Sequence, residues 1–265
     1  MSLKNVIGLG VAGNFAKHLE QAGELKDFEH VVTKEADAPK GIFPFYLPGS
    51  KSFLGTYCIG TDHLKLPAYE ANAQVEPEIA LLCEIVYDET MRVADLMPQA
   101  FTTFNDCTIR KEGAKKISEK KNWGAESKGI GDKWIPIDRF EEGGVMDNYH
   151  LCSFVKRDGV VYPYGVDAPL LGYSYFYVKL KEWLVSKMNT QEDFGPLENI
   201  QNHLRDTGYP KKALISIGAT AYAEFGEKNY LQSGDEIYVI AYRPAVDKPD
   251  LESSTHKIVL HQRVS

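Results

Sequence analysis

Between Ile79 and Tyr87 the chain is apolar at every position except Glu84, the pattern of a strand buried on both faces. A second strand pattern runs from Gln99 to Asn105 around Phe101 and Phe104. Shorter ones fall at Trp134 to Ile137, at Val160 to Tyr164 after an Arg157-Asp158-Gly159 turn, and at Ala213 to Ile217. Glu236 to Tyr242 is another, entered through Ser233-Gly234-Asp235. Helical spacing predicts a helix from about Asn14 to Ala22, capped by Asn14, with Phe15, Leu19 and Ala22 on one face and Gly23 ending it. It predicts another over Tyr173 to Met188, striped by Tyr177, Leu180 and Leu184. Lys4 to Leu9 reads as a short strand, after which Gly10 and Gly13 turn the chain into the first helix. Asp37 to Gly60 is loop-like, punctuated by Pro39, Pro44 and Pro48, and is expected at the surface or on a pocket rim. The tail after Pro244 is expected to be partly mobile. Strands outnumber helices, so the fold class is α+β with a β-rich core.

A length of 265 residues suits one elaborated domain with a substantial core. The chain is 43% hydrophobic and 25% charged, which is the balance of a soluble globular protein. Its formal net charge of −7 argues against a general nucleic-acid binder and points to small molecules, or a second copy of itself, as partners. Cys58, Cys83, Cys107 and Cys152 lie far apart, and Cys83 sits inside an apolar, strand-like run. Such spacing fits buried, reduced thiols of a cytoplasmic protein rather than a disulfide framework or a zinc site. The longest apolar N-terminal run, Val6 to Gly13, is too short for a signal peptide or membrane span.

The candidate chemistry begins at Glu76-Pro77-Glu78. Two residues apart on an extended strand, both glutamates project to the same side. Crowded carboxylates repel unless solvent or a cation lies between them, so a third from a neighbouring strand would complete an oxygen-rich site for Mg²⁺ or Mn²⁺. Asp106, in Phe104-Asn105-Asp106, is the candidate third ligand. Lys128, in Ser127-Lys128-Gly129, is a candidate partner to those carboxylates if the fold brings it back to them. Arg110 to Lys121 holds six basic residues. By itself that is a solvated face; folded over the acidic site it would favour a di- or tricarboxylate substrate.

Gly8-Leu9-Gly10-Val11-Ala12-Gly13 competes with this reading, because it matches the dinucleotide-binding G-x-G-x-x-G between a strand and a helix, with the acidic Glu35 farther on. An NAD(P)-binding or non-catalytic protein is therefore an alternative. A dinucleotide domain continues as alternating strands and helices, whereas here a proline-rich stretch and then mostly strands follow.

Taken together, these segments resemble the fumarylacetoacetate hydrolase family. Val6 to Gly10 followed by Asn14-Phe15-Ala16-Lys17-His18 is similar to its opening G-x-N-Y-x-x-H stretch. Glu76 to Ala80 resembles its E-x-E-hydrophobic-A strand, Asn105-Asp106 with Arg110 its N-D-x-x-x-R segment, and Lys128 its motif lysine. Tyr230-Leu231-Gln232-Ser233-Gly234-Asp235 resembles its Y-L-x-x-G-D. The resemblance runs in family order over about residues 5 to 242.

It implies a mixed β-roll with peripheral helices, in which residues 1 to 65 form a strand and lid-helix segment packed on a catalytic core of residues 66 to 265. It implies Mg²⁺ or Mn²⁺ on Glu76, Glu78 and Asp106, Lys128 facing a developing oxyanion, and His18 on the lid as general base. Asn14, Arg110 and Thr220 would contact a 2-oxo acid or β-dicarbonyl substrate, and a homodimer is the family-level expectation. The activity implied is a C–C bond hydrolase or decarboxylase of the acylpyruvase or oxaloacetate-decarboxylase kind. A 2-oxo-4-enoate hydratase or decarboxylase of the same superfamily is the second reading. Gln21 stands where the lid's glutamate is usual, Leu47 precedes Pro48 in place of a lysine, and Gly218-Ala219-Thr220 replaces G-T-P. The hydratase branch does not need the histidine–glutamate dyad that Gln21 interrupts.

Overall fold

The computed structural model describes residues 2–265 except 16–20, 22–27, 29, 32, 34, 112 and 253. The N-terminal quarter supplies β1 (Ile7–Ala12), β2 (Gly41–Tyr46), β3 (Ile59–Gly60) and β4 (His63–Leu64). The middle supplies β5 (Ala73–Gln74), β6 (Pro77–Tyr87), β7 (Val93–Asn105), β8 (Thr108–Ile109), β9 (Lys128–Ile130) and β10 (Ile135–Pro136). Then come β11 (His150–Arg157), β12 (Val160–Pro169), β13 (Lys212–Ser216), β14 (Glu236–Tyr242) and β15 (Ile258–Val264). Helices are fewer: α1 (Ser118–Lys121), α2 (Tyr177–Thr190), α3 (Ile200–Asp206) and α4 (Glu224–Lys228).

One mixed sheet runs β2-β1-β13-β6-β7-β9-β3, with β10 also on β7; a second runs β12-β11-β14-β15-β4; β5 and β8 pair separately. Apolar side chains of both larger sheets, among them Ile79, Leu81 and Phe101 from the first and Leu151, Val239 and Leu260 from the second, share one buried core. Leu180, Leu184 and Met188 of α2 join it, so the helical stripe read from the sequence is the helix's buried face. This is an α+β fold. Arg157 donates to both carboxylate oxygens of the buried Asp235 at 2.7 Å, which fixes the turn into β14 to the β11–β12 hairpin.

β6 is buried without interruption from Pro77 to Cys83, as its apolar run requires. β7 is longer than its sequence signal, and its first half is buried only at Val93 and Leu96. The register between them places Pro77 opposite Asn105, and that between β7 and β9 places Asn105 opposite Gly129. One step beyond both ladders, Glu76, Asp106 and Lys128 therefore converge.

Three expectations are corrected. The surface loop expected over Asp37 to Gly60 contains β2, buried at every position. Pro44 does not prevent this, because β2 is an edge strand whose outer side needs no ladder partner. The first strand is Ile7–Ala12 rather than Lys4 to Leu9, so Gly8 and Gly10 lie inside it and not in a phosphate-cradling turn. Their missing side chains leave room for rings from β2: a methyl on Gly8 would stand 2.3 Å from Phe45, and one on Gly10 2.3 Å from Phe43. The dinucleotide reading loses its structural basis there. Finally, the tail is not loose throughout, since Ile258–Val264 pairs with β14 and β4 and buries alternate residues. The helix expected over Asn14 to Ala22, with His18, lies largely outside the described residues.

All four cysteines are buried and free of disulfides. Burial pushes the Cys58 and Cys107 thiols up to about 12, so both stay protonated at neutral pH. Among the described residues, no helix is long and apolar enough to cross a membrane.

Candidate metal centre

Glu76, Glu78 and Asp106 each offer a carboxylate oxygen, and the three atoms lie within 4.8 Å of one another. All three residues are buried. Glu76 sits immediately before β6 and is held from both sides of its peptide. Its N–H donates to Asn105 Oδ1 at 3.2 Å, and its carbonyl accepts from the Asp106 N–H at 3.0 Å. Glu78 is the second residue of β6, and its Oε2 accepts from the Gly218 N–H at 2.8 Å. Gly218 has φ of +113°, and a Cβ there would stand 2.9 Å from Asn14 Cβ, so only glycine presents that N–H without strain. Burial, with Asp106 and Glu76 adding negative charge, pushes the Glu78 carboxyl well above the usual carboxylate range, against the pull of Lys121.

Two buried lysines face these carboxylates. Lys128 Nζ lies 3.0 Å from Asp106 Oδ1, donates to the Cys107 carbonyl, and stands over the Trp123 ring at 5.5 Å. Lys121, at the end of α1, lies 2.6 Å from Glu76 Oε2 and 2.7 Å from Asp106 Oδ2. It also stands 5.2 Å above the Phe43 ring. The basic stretch is thus not simply a solvated face. Lys121 was hidden in the sequence because nothing in a run of lysines distinguishes the one that folds inward. Arg110 is mostly buried and donates from Nε to Gln74 Oε1 at 2.7 Å and from Nη2 to the Tyr222 hydroxyl at 3.1 Å. Its Nη1 is 3.8 Å from Glu76 Oε1.

The remaining candidates stand differently. Asn14 is wholly buried and clamps the backbone: its Nδ2 donates to the carbonyls of Tyr175 and Ile217, and its Oδ1 accepts from the Tyr175 N–H. Thr220 is buried, with its N–H donating to the Pro77 carbonyl at 3.2 Å. His18 lies outside the described residues. Gln21, the departure noted in the lid, has its amide engaged by Tyr222: Oε1 accepts from the Tyr222 N–H at 2.8 Å and Nε2 donates to its carbonyl at 3.2 Å. Gln262 was missed. It comes from β15 and its Oε1 accepts from Asn105 Nδ2 at 3.0 Å, while its Nε2 donates to the His63 and Lys128 carbonyls. A polar residue at an inward strand position was the only sequence signal for it.

A cavity of about 20 Å³ touches Glu76, Glu78 and Lys121, with Phe28, Phe43 and Ile117 among its apolar walls. It has room for one ion or water. Glu76 and Glu78 line this space, and an oxygen of Asp106 lies within 4.8 Å of theirs; three carboxylate donors so grouped are the donor set of a hard divalent cation, so these residues fit one.

A model of a protein family matches residues 24–262, nearly the whole chain. The chain belongs to DUF5718, a family of unknown function. No curated protein matches it. Among solved structures, a fumarylacetoacetate hydrolase family protein from Yersinia pestis CO92 is similar at 14% identity, with a TM-score of 0.53 over 98% of this chain and 94% of that one. A 5-carboxymethyl-2-hydroxymuconate delta-isomerase from Mycobacterium smegmatis is similar at 15% identity and TM-score 0.53, over 97% and 78% of the two chains. A 2-keto-3-deoxy-D-arabinonate dehydratase complexed with magnesium and 2,5-dioxopentanoate is similar at 16% identity and TM-score 0.50, over 97% and 72%. The fold of this DUF5718 chain is thus that of the fumarylacetoacetate hydrolase family, as the sequence motifs implied.

Proposed function

We propose that this protein is a divalent-metal-dependent enzyme that cleaves a C–C bond in a 2-oxo acid or β-dicarbonyl compound, by hydrolysis or decarboxylation. The observation that supports this reading is the buried Glu76-Glu78-Asp106 group with Lys128 beside it. The three carboxylates would hold Mg²⁺ or Mn²⁺. When bound, the ion supplies positive charge for the carbonyl oxygens of a chelating substrate. Lys128, fixed by Asp106 and the Cys107 carbonyl, adds a second positive charge for the enolate left when the bond breaks. Arg110, oriented by Gln74 and Tyr222, is suited to pair with a substrate carboxylate. His18 is the proposed general base, Asn14 holds the backbone beside Gly218, and Thr220 is a proposed hydroxyl contact. A homodimer is proposed on the same grounds as the family resemblance.

A second reading is a dehydratase or hydratase acting on a 2-oxo acid. It is favoured by Gln21, whose amide is engaged by the Tyr222 backbone and carries no carboxylate to assist a lid histidine in activating water. The dehydratase with a similar fold gives this reading a substrate class, 2-keto-3-deoxy sugar acids.

The test is turnover of chelator-stripped protein, with and without Mg²⁺ or Mn²⁺, on acylpyruvates, oxaloacetate and 2-keto-3-deoxy sugar acids. Metal-dependent loss of an acylpyruvate or oxaloacetate supports the first reading. Turnover confined to the sugar acids supports the second. Inactivity on all three classes by protein that binds metal would overturn both.

A further inference from the structure

Lys121 occupies an unusual place for a lysine beside a divalent-cation site. Its ammonium does not flank the carboxylates but spans them, 2.6 Å from Glu76 and 2.7 Å from Asp106, two of the three candidate ligands. Its side chain is only 4% exposed, so the charge has little access to water as an alternative partner. Lys128 contrasts with it, touching Asp106 Oδ1 alone among the carboxylates and resting also on the Cys107 carbonyl. A divalent ion can take Asp106 Oδ2 while Lys128 keeps Oδ1. At Glu76 Oε2 and Asp106 Oδ2 it would share oxygens that Lys121 already holds, against the repulsion of the ammonium.

Charge leads to the same conclusion. Lys121, Lys128 and Arg110 already offset the negative charge of these carboxyl groups without metal, so an incoming divalent ion does not meet a triply negative cluster. The small cavity is bounded by Lys121 itself as well as by Glu76 and Glu78, so the space open to the ion is beside the ammonium.

We propose that Lys121 is a tethered competitor cation, which keeps the carboxylates together when metal is absent and opposes a divalent ion at Glu76 and Asp106. It therefore lowers the metal affinity of the site. The inference rests on the metal-binding reading given above. It goes further by assigning one residue the control of that affinity.

The experiment is calorimetric titration of chelator-stripped protein with Mg²⁺, comparing the native chain, Lys121→Met and Lys121→Gln, with Glu78→Ala as the control lacking a ligand. Both Lys121 variants should bind Mg²⁺ at least about ten-fold more tightly than the native chain. They should also show the larger Mg²⁺-induced rise in melting temperature, because binding to the folded state alone stabilises in proportion to the logarithm of one plus the ratio of free Mg²⁺ to Kd. Lys121→Gln removes the charge but keeps an amide N–H donor on a shorter side chain, so it remains readable if Lys121→Met does not fold. Equal or weaker affinity in the variants, with the native chain binding normally, would overturn the competitor role and leave the metal site standing. If the native chain and the folded variants all fail to bind, the metal site and the competitor role fall together.

Discussion

Asn105 and Gln262 lie 157 positions apart in the chain, yet Asn105 Nδ2 donates to Gln262 Oε1 at 3.0 Å in the interior. The other end of the Asn105 amide accepts from the Glu76 N–H, and the Gln262 amide donates to the Lys128 carbonyl. Two neutral side chains thereby tie the backbones of a candidate ligand and the motif lysine to the last strand. This arrangement positions charged groups without adding charge, which matters where three carboxylates already crowd together.

Gln262→Ala should therefore destabilise the protein by about 2 kcal/mol, since it leaves buried partners unpaired. Urea unfolding checks the stability, and the metal titration should show weaker binding as Glu76 and Lys128 lose support. A stability change within a few tenths of a kcal/mol would mean the network is dispensable.

Glu78→Ala and Asp106→Ala should differ, although each removes a candidate ligand. Glu78 has no lysine within ion-pair distance among the described residues, while Lys121 and Lys128 both rest on Asp106. Asp106→Ala leaves two buried ammonium groups short of a partner and should cost about 3 kcal/mol or more. Glu78→Ala should abolish metal binding with a smaller loss of stability. Denaturation midpoints of the two metal-free variants, measured side by side, test the order.

Gly10→Ala should leave the chain without any new or lost NAD(P) affinity and instead destabilise it by about 1–3 kcal/mol, because the methyl would press on the Phe43 ring 2.3 Å away. Adding Phe43→Leu should recover part of that loss. Additive losses in the double variant would show that the ring is not what Gly10 accommodates.

Acid should weaken the second sheet through Glu236. Its carboxylate accepts from Lys156 and Tyr238 and meets His261, and these contacts, Lys156 foremost, hold it down at about 2 from an ordinary 4.5. A depressed carboxyl contributes stability that is full above its unfolded value and is lost as pH falls toward its folded one. Allowing for its partial exposure, the native chain should lose about 2 kcal/mol between pH 4.5 and 2 through this group. Glu236→Gln should flatten that part of the stability profile, and an unchanged acid limb would remove Glu236 from the account.

The sequence by itself determined the elements whose signal is local. The apolar run of β6, the turn before β14 and the stripe of α2 follow from side-chain period and turn chemistry over a few residues, and each is found close to where that pattern places it. The oxygen-rich group was legible for the same reason: Glu76 and Glu78 are two apart, and Asp106 directly follows the partner strand. Only the tertiary structure decided the rest. Gly8 and Gly10 satisfy a phosphate-loop pattern, but their role is set by two phenylalanine rings more than 30 residues away. Gln262 became internal because β15 packs between β14 and β4, a pairing that no local preference specifies. Lys121 is one basic residue among six until α1 carries it between Glu76 and Asp106. Burial and charge pairing depend on what the whole chain brings to a point, and sequence spacing records only what lies nearby.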